Sequence, residues 1–293
     1  MEEIQQTRIR CARKDSSVYP ARLKELPGMP KQLYYIGSFP DDAKPTAAIV
    51  GARLCSPYGR IQAFNYGKFL SEHGVQVISG MAAGIDAEGH KGALEGGTPT
   101  FAVLGNGVDI CYPSSSRGIY RRIPEKNGGI ISEYEPGTKG RAYYFPARNR
   151  IISGLADLVL VVEAKEKSGS LITAACALEQ GKMVYAIPGA VNDALSRGCH
   201  KLIYDGAGIA YSPEILLDEW GLSVKKRQIC LKKASWDLQR IWIWCIVVSI
   251  YDQKSGSYYQ KNRFFTGKNS RDPGTAYFDG ACEGNRETVL YQT

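Results

Sequence analysis

Three observations predict an α/β fold for this 293-residue chain, with a mostly parallel sheet and helices on both faces. Short apolar runs recur between about residues 46 and 219, helical stretches mostly separate them, and the unusual glycine- and serine-bearing turns all follow the runs. Strand alternating with helix implies parallel strands joined by helices that cover the sheet.

The elements follow in order. Residues 47–50 read as the first strand, and Ser56 is then placed to cap a helix with Pro57 at its first position and Gly74 past its end. Residues 75–78 form the next strand, followed by a helix over roughly 86–94. Strands at 100–104, 129–132, 157–163 and 183–187 continue the series. Leu158 to Val162 are apolar without alternation, as a strand buried on both faces requires. Ser168-Gly169-Ser170 opens a helix to about Gln180, stopped by Gly181. A last strand at 208–211 precedes a helix start at Ser212-Pro213. Residues 1–45 contain YPARLKEL and PKQLYYIG, expected as a short helix and a strand packed on the sheet of a main domain spanning 46–222.

Charge is unevenly placed. The whole chain carries 37 Lys/Arg against 29 Asp/Glu, but residues 224–293 hold 12 against 6 and so most of the excess. Net charge is therefore weak evidence for a nucleic-acid partner, and local placement has to carry that reading. The eight cysteines form no C-x-x-C pair, and with three histidines in all neither a metal nor a cofactor is expected. Cys111, Cys176 and Cys199 sit among apolar or small residues and read as buried free thiols. MEEIQQTRIR has no apolar signal core, and the longest apolar run, 241–251, is too short to span a bilayer. No membrane association and a cytoplasmic location are the expectation.

In an open α/β sheet, ligands bind outside the carboxyl ends of the strands. There the chain places Gly51 and Arg53 of GAR, Ser79, Gly80 and Gly84 of SGMAAGID, and Gly105 of GNG. A glycine turn alone often serves only to let a strand meet a helix. Gly80 and Gly84 imply a close approach or a positive φ. Asp86 reads first as a helix cap, and His90 as a packed histidine. Ser168, Gly169 and Ser170 offer free N–H groups, hydroxyls and the positive end of a helix dipole, a place for an anion. Arg148, Asn149 and Arg150 read as a basic helix start, unfavourable against the dipole unless an anion is bound, and Lys167 adds charge to the same place. No P-loop, strict dinucleotide turn, nucleophile elbow or HExxH is present.

Taken together, SGMAAGIDxxxHxGAL, AVLGNGVDxxYP, ISEYEPG, FPARNRIISGLAD, VVEAxxxSGSLITA and AIPG make residues 18–220 resemble the DprA/Smf family (DNA-processing protein A). The resemblance implies an extended Rossmann-like domain that forms a homodimer and binds single-stranded DNA without sequence preference. It further implies loading of RecA recombinase and protection of incoming DNA during natural transformation, with no enzymatic step. Arg53, the SGMAAG amides, Arg148, Arg150, Lys167 and the SGS turn then look like a pocket for consecutive phosphates, with Tyr143, Tyr144 and Phe145 available to stack bases. The rival reading is a nucleotide-binding or nucleoside-monophosphate-processing enzyme on a related Rossmann-like fold, with Glu163 or Glu133 as acid/base. Two positions depart from the family pattern: Ser116 stands where it usually has Asn, and Gly198-Cys199-His200 where it has Gly-Cys-Asn. Residues 223–293 do not resemble the small winged-helix-like domain with which members often end. They hold three of the four tryptophans and lose all periodicity, from which a shifted reading frame after about Leu222 and a poorly ordered tail are expected.

Overall fold

The computed structural model describes residues 9–222, 275–278 and 289–292. The chain divides into two units, Met1–Lys226 and Arg227–Thr293. In the first, a single sheet is built from β1 (Arg10–Arg13), β2 (Gln32–Gly37), β3 (Thr46–Val50), β4 (Gln76–Ser79), β5 (Thr100–Leu104), β6 (Gly129–Ser132), β7 (Leu158–Val161), β8 (Met183–Ala186) and β9 (Gly208–Ile209). The helices are α1 (Ala21–Lys24), α2 (Pro57–Glu72), α3 (Ile85–Gly96), α4 (Arg117–Glu125), α5 (Tyr144–Leu155), α6 (Gly169–Glu179), α7 (Arg197–Tyr204) and α8 (Pro213–Glu219). The spatial order is β1-β2-β6-β5-β4-β3-β7-β8-β9, and every pairing from β6 to β9 is parallel. The Rossmann-like α/β class is therefore what the chain adopts.

Period-two alternation explains the two faces. On β3, Ala48 and Val50 join a core beneath α1, α5, α6 and α7, while Ala47 and Ile49 join another beneath α2, α3 and α8. A third cluster, under α3 and α4, gathers Ala102, Leu104 and Ile130 with Ile119 and Ile123. Each fully buried Ile, Leu or Val contributes about 1.5–3 kcal/mol. Ile151, Ile152 and Leu155 seat α5 in the first of these cores. Ser56 Oγ accepts the Gly59 N–H at 3.0 Å and Ser212 Oγ the Ile215 N–H at 3.3 Å, so both anticipated caps are formed. Losing such a cap costs about 0.5–2 kcal/mol.

Two expectations change. The N-terminal extension does not merely lie on the sheet but lengthens it. β2 pairs antiparallel with β6, Tyr35 opposite Ile131, and β1 pairs with β2. The outer edge of β6 would otherwise present unpaired backbone groups. Of the three thiols expected to be buried, only Cys199 is; Cys111 and Cys176 are half-buried, and all three are free.

The chain winds outward from β3 through β4, β5 and β6, then returns to the other side of β3 as β7. That reversal opens a crevice at the carboxyl ends of β3 and β7, the switch point of a doubly wound sheet. In the second unit, β10 (Thr275–Phe278) pairs antiparallel with β11 (Val289–Gln292). Apart from those strands, the shifted frame and poor order expected of the tail concern positions outside the described residues.

Candidate functional site

A cleft of about 1000 Å³ occupies the switch point. Gly51 to Leu54 line it from the turn after β3, Ala82 from the turn after β4, Ile110 and Tyr112 from the segment after β5. Lys139, Gly140 and Ala142 enter after β6, Lys165 and Lys167 to Ser170 after β7, and the first turns of α5 add Phe145, Arg148 and Asn149. Arg53, Lys139, Lys165 and Lys167 are exposed at its mouth, and none of the four forms an ion pair among the described residues. Asp86 is the one carboxylate among the lining residues. The Ser168 turn leads into α6, where Ser168 Oγ meets Ser170 Oγ at 2.8 Å and caps the Ser170 N–H. Four cations around a helix N-terminus make the mouth strongly attractive to anions.

Arg148 is not at a helix start. α5 begins at Tyr144, so Arg148 lies in its second turn, only 4% exposed, and the dipole argument does not apply to it. Its Nη1 donates to the carbonyl of Gly80 at 2.8 Å and to that of Val103. Burial pulls its pKa down to about 10 and Arg53 adds to the effect, while Asp86 opposes it. It stays protonated at neutral pH. Its Nε, fully buried, has no hydrogen-bond partner among the described residues.

Arg150 does not line the cleft. Nη1 and Nη2 grip the two carboxylate oxygens of Glu133 at 2.9 and 2.7 Å, and Nε donates to Gly28 O at 2.9 Å. One helical position, about 100° of rotation, separates Asn149 from Arg150 and turns Arg150 away from the crevice, which Arg148 and Asn149 line. Asn149 faces it and donates from Nδ2 to Gly169 O at 3.2 Å, tying α5 to the SGS turn.

Two of the SGMAAG amides, those of Gly80 and Ala82, are already taken. Asp86 Oδ2 accepts from Gly80 N at 3.1 Å and Ala82 N at 3.4 Å, so the carboxylate organises the loop rather than capping α3, whose N-cap is Gly84. Burial raises the Asp86 carboxyl pKa, and Arg148 works against that rise. Both glycines are required here. A Cβ on Gly80 would meet Arg148 Nη2 at 2.6 Å, and Gly84, at φ +81°, lies where a Cβ would strike the Ala52 and Arg53 carbonyls. Ser79 Oγ donates to Ile49 O, Gly105 packs beneath Phe145, and neither lines the cleft. His90 is the packed histidine expected of it, with Nδ1 2.8 Å from Thr100 Oγ1. Glu163 is a buried cap: its carboxylate accepts the Ser56 N–H at 2.9 Å and the Ser56 hydroxyl, and it is 2% exposed. Its backbone carbonyl takes the Ala52 N–H at 2.8 Å, so both ends of the Arg53 turn are held by one residue.

The family profile described as DNA recombination-mediator protein A matches residues 10–221. The chain belongs to the DprA/Smf family of DNA recombination-mediator proteins. It is 42% identical over 202 residues to DNA processing protein DprA of Streptococcus pneumoniae, covering 69% of this chain and 71% of that one. Protein Smf of Escherichia coli is 41% identical over 204 residues, 70% of this chain, which spans only 54% of that protein's length. The X-ray structure of pneumococcal DprA superposes with a TM-score of 0.67 at 38% identity, over 73% of this chain and 75% of that one. DNA processing protein A from Helicobacter pylori, described in its single-stranded DNA binding mode, gives 0.62 at 28% identity, over 69% of this chain and 92% of that one.

The two departures from the DprA/Smf pattern fall outside the cleft lining. Ser116 is buried 3.5 Å from the Met81 carbonyl, and His200 Nε2 lies 3.1 Å from Gly189 O, tying α7 to the turn after β8. Sequence reasoning missed Lys139 and Lys165. Each sits in a post-strand turn, PGTKG and EAKEK, and the position of the turn was the signal available.

Proposed function

We propose that this chain binds single-stranded DNA in the switch-point cleft through the strand's phosphates and, as a recombination mediator, performs no covalent chemistry. The observation that carries this is that Arg53, Lys139, Lys165 and Lys167, none in an ion pair among the described residues, line one cleft together with the N-terminus of α6. A guanidinium can hold a phosphate oxygen pair in two bonds, while lysines act as point charges. An anion in the cleft would also lie against the wall that contains Arg148. The only carboxylate in the lining is engaged with Arg148 and two loop amides, so little negative charge opposes phosphate.

The enzyme reading draws no support from its two carboxylates. Glu163 is buried against Ser56 and Glu133 is gripped by Arg150; neither lines the cleft. The family reading extends the proposal to a homodimer in the cytoplasm that protects incoming single strands and hands them to RecA recombinase.

Fluorescence anisotropy with labelled oligothymidylate, equal-length duplex and a labelled mononucleotide tests it. The expected result is preference for the single strand, with affinity falling steeply between about 50 and 200 mM salt as counterions are released. Saturable binding of the mononucleotide with none of the oligomer would overturn it in favour of the enzyme reading.

A further inference from the structure

The cleft accounts for phosphates, yet its rim carries a second construction. After β6 the chain runs along the mouth, and Lys139, Gly140, Ala142 and Phe145 turn into it. Three other residues of the same segment, Arg141, Tyr143 and Tyr144, do not line it and build an aromatic ridge instead. Tyr144 stacks on Tyr134 with ring centroids 4.0 Å apart, and Tyr143 meets Tyr144 edge-on at 4.6 Å. Arg141 lies 5.9 Å over the Tyr144 ring and donates from Nη1 to the Tyr143 hydroxyl at 3.0 Å. The outermost ring, Tyr143, is 59% exposed although Tyr144 and Arg141 hold its orientation. Phe145 is differently placed. Tyr112 lies 5.4 Å from its ring and the Arg53 guanidinium 5.3 Å, with Gly105 and Gly140 pressed close.

Resting on the phosphate reading of the cleft, we infer that the Tyr143–Tyr144–Tyr134 ridge is a base-stacking subsite for the nucleotides that leave the cleft. Three features select bases as the occupant. The ridge is continuous with the cleft through a single chain segment. Its charge, Arg141 with Lys139 on the inner side, suits a polyanion, and of the two carboxylates that flank Tyr134, Glu133 is held by Arg150 and Glu135 lies 3.4 Å from the Tyr34 hydroxyl. An oriented, exposed ring beside a guanidinium stacks any base without reading its edge, since every base has a π-face. Such a platform would also separate single strands from duplex, whose bases already stack on one another.

The test uses the full chain and two labelled probes of equal length, oligothymidylate and an abasic oligodeoxyribose phosphate. The parent is expected to prefer oligothymidylate by roughly 5- to 150-fold, the range that stacking one base on an aromatic side chain supplies. Tyr143→Ala should remove most of that preference and leave the abasic affinity unchanged, and Tyr143→Phe should restore it. Equal affinities for the two probes in the parent, or a preference untouched by Tyr143→Ala, would overturn the ridge while leaving the phosphate site standing. A parent that binds neither probe removes both readings together.

Discussion

Arg150 and Glu133 form a two-pronged ion pair across the gap between α5 and the end of β6, with N···O distances of 2.9 and 2.7 Å. The hydrogen bonds to Glu133 push the arginine's pKa upward despite partial burial. A basic residue in the most DNA-like stretch of the sequence therefore serves the fold. Arg150→Ala is expected to lower stability by about 1–3 kcal/mol, since a partly buried carboxylate loses charged hydrogen bonds. Single-strand affinity should stay within about twofold, as the lost charge is already neutralised and outside the cleft. Urea melts and anisotropy on the same preparation check both; a large loss of binding with no loss of stability would contradict the pairing.

Glu163 should act through Ser56 and the Arg53 turn. Glu163→Ala orphans a half-buried N–H and a hydroxyl of Ser56, at a cost of up to about 1–3 kcal/mol for each group left unsatisfied. Hydrogen exchange across residues 52–56 is expected to quicken and DNA affinity to fall, whereas Glu163→Gln, which keeps an acceptor, should lie between parent and alanine. Unchanged exchange in the alanine variant would remove the role.

His90 makes stability depend on pH in a stated direction. Burial, with a smaller push from Arg148, lowers its pKa from 6.5 to about 3. Between those values the unfolded chain binds a proton that the native state does not, so stability rises with pH there. The His90 contribution is complete above about pH 6.5 and is lost toward pH 3, by up to about 1.4 kcal/mol per pH unit. His90→Gln should flatten urea-derived stability between about pH 6 and 4 relative to the parent, the range that lies between the two pKa values. Parallel pH profiles for the two proteins would contradict it.

The fold was largely legible because period and punctuation agreed. The 47–50, 100–104, 129–132 and 183–187 runs became β3, β5, β6 and β8 with ends shifted by at most one residue, and the Ser56 and Ser212 caps formed as read. β1 escaped because RCAR is short and only Ala12 is buried, leaving no alternation to see. The site was legible as a place, the post-strand turns, but not as an orientation. Gly80 and Gly84 had the reasons that their pattern implied. Whether Arg148 reached solvent or the Gly80 carbonyl depended on where α5 began, and Pro146, which suits a first turn, gave no unique start. Nor can a linear sequence show that Asp86 would take the amides of its own loop.

Salt dependence tests the phosphate cleft most directly. Log affinity for oligothymidylate against log salt would be measured for the parent and for Arg53→Ala/Lys167→Ala. Each single-strand phosphate contact contributes a slope of roughly −0.7, so losing two should shallow the line by about 1.4 and weaken binding at low salt. Identical slopes and affinities in parent and variant would mean that the phosphates are held elsewhere, and the cleft would lose its assigned role.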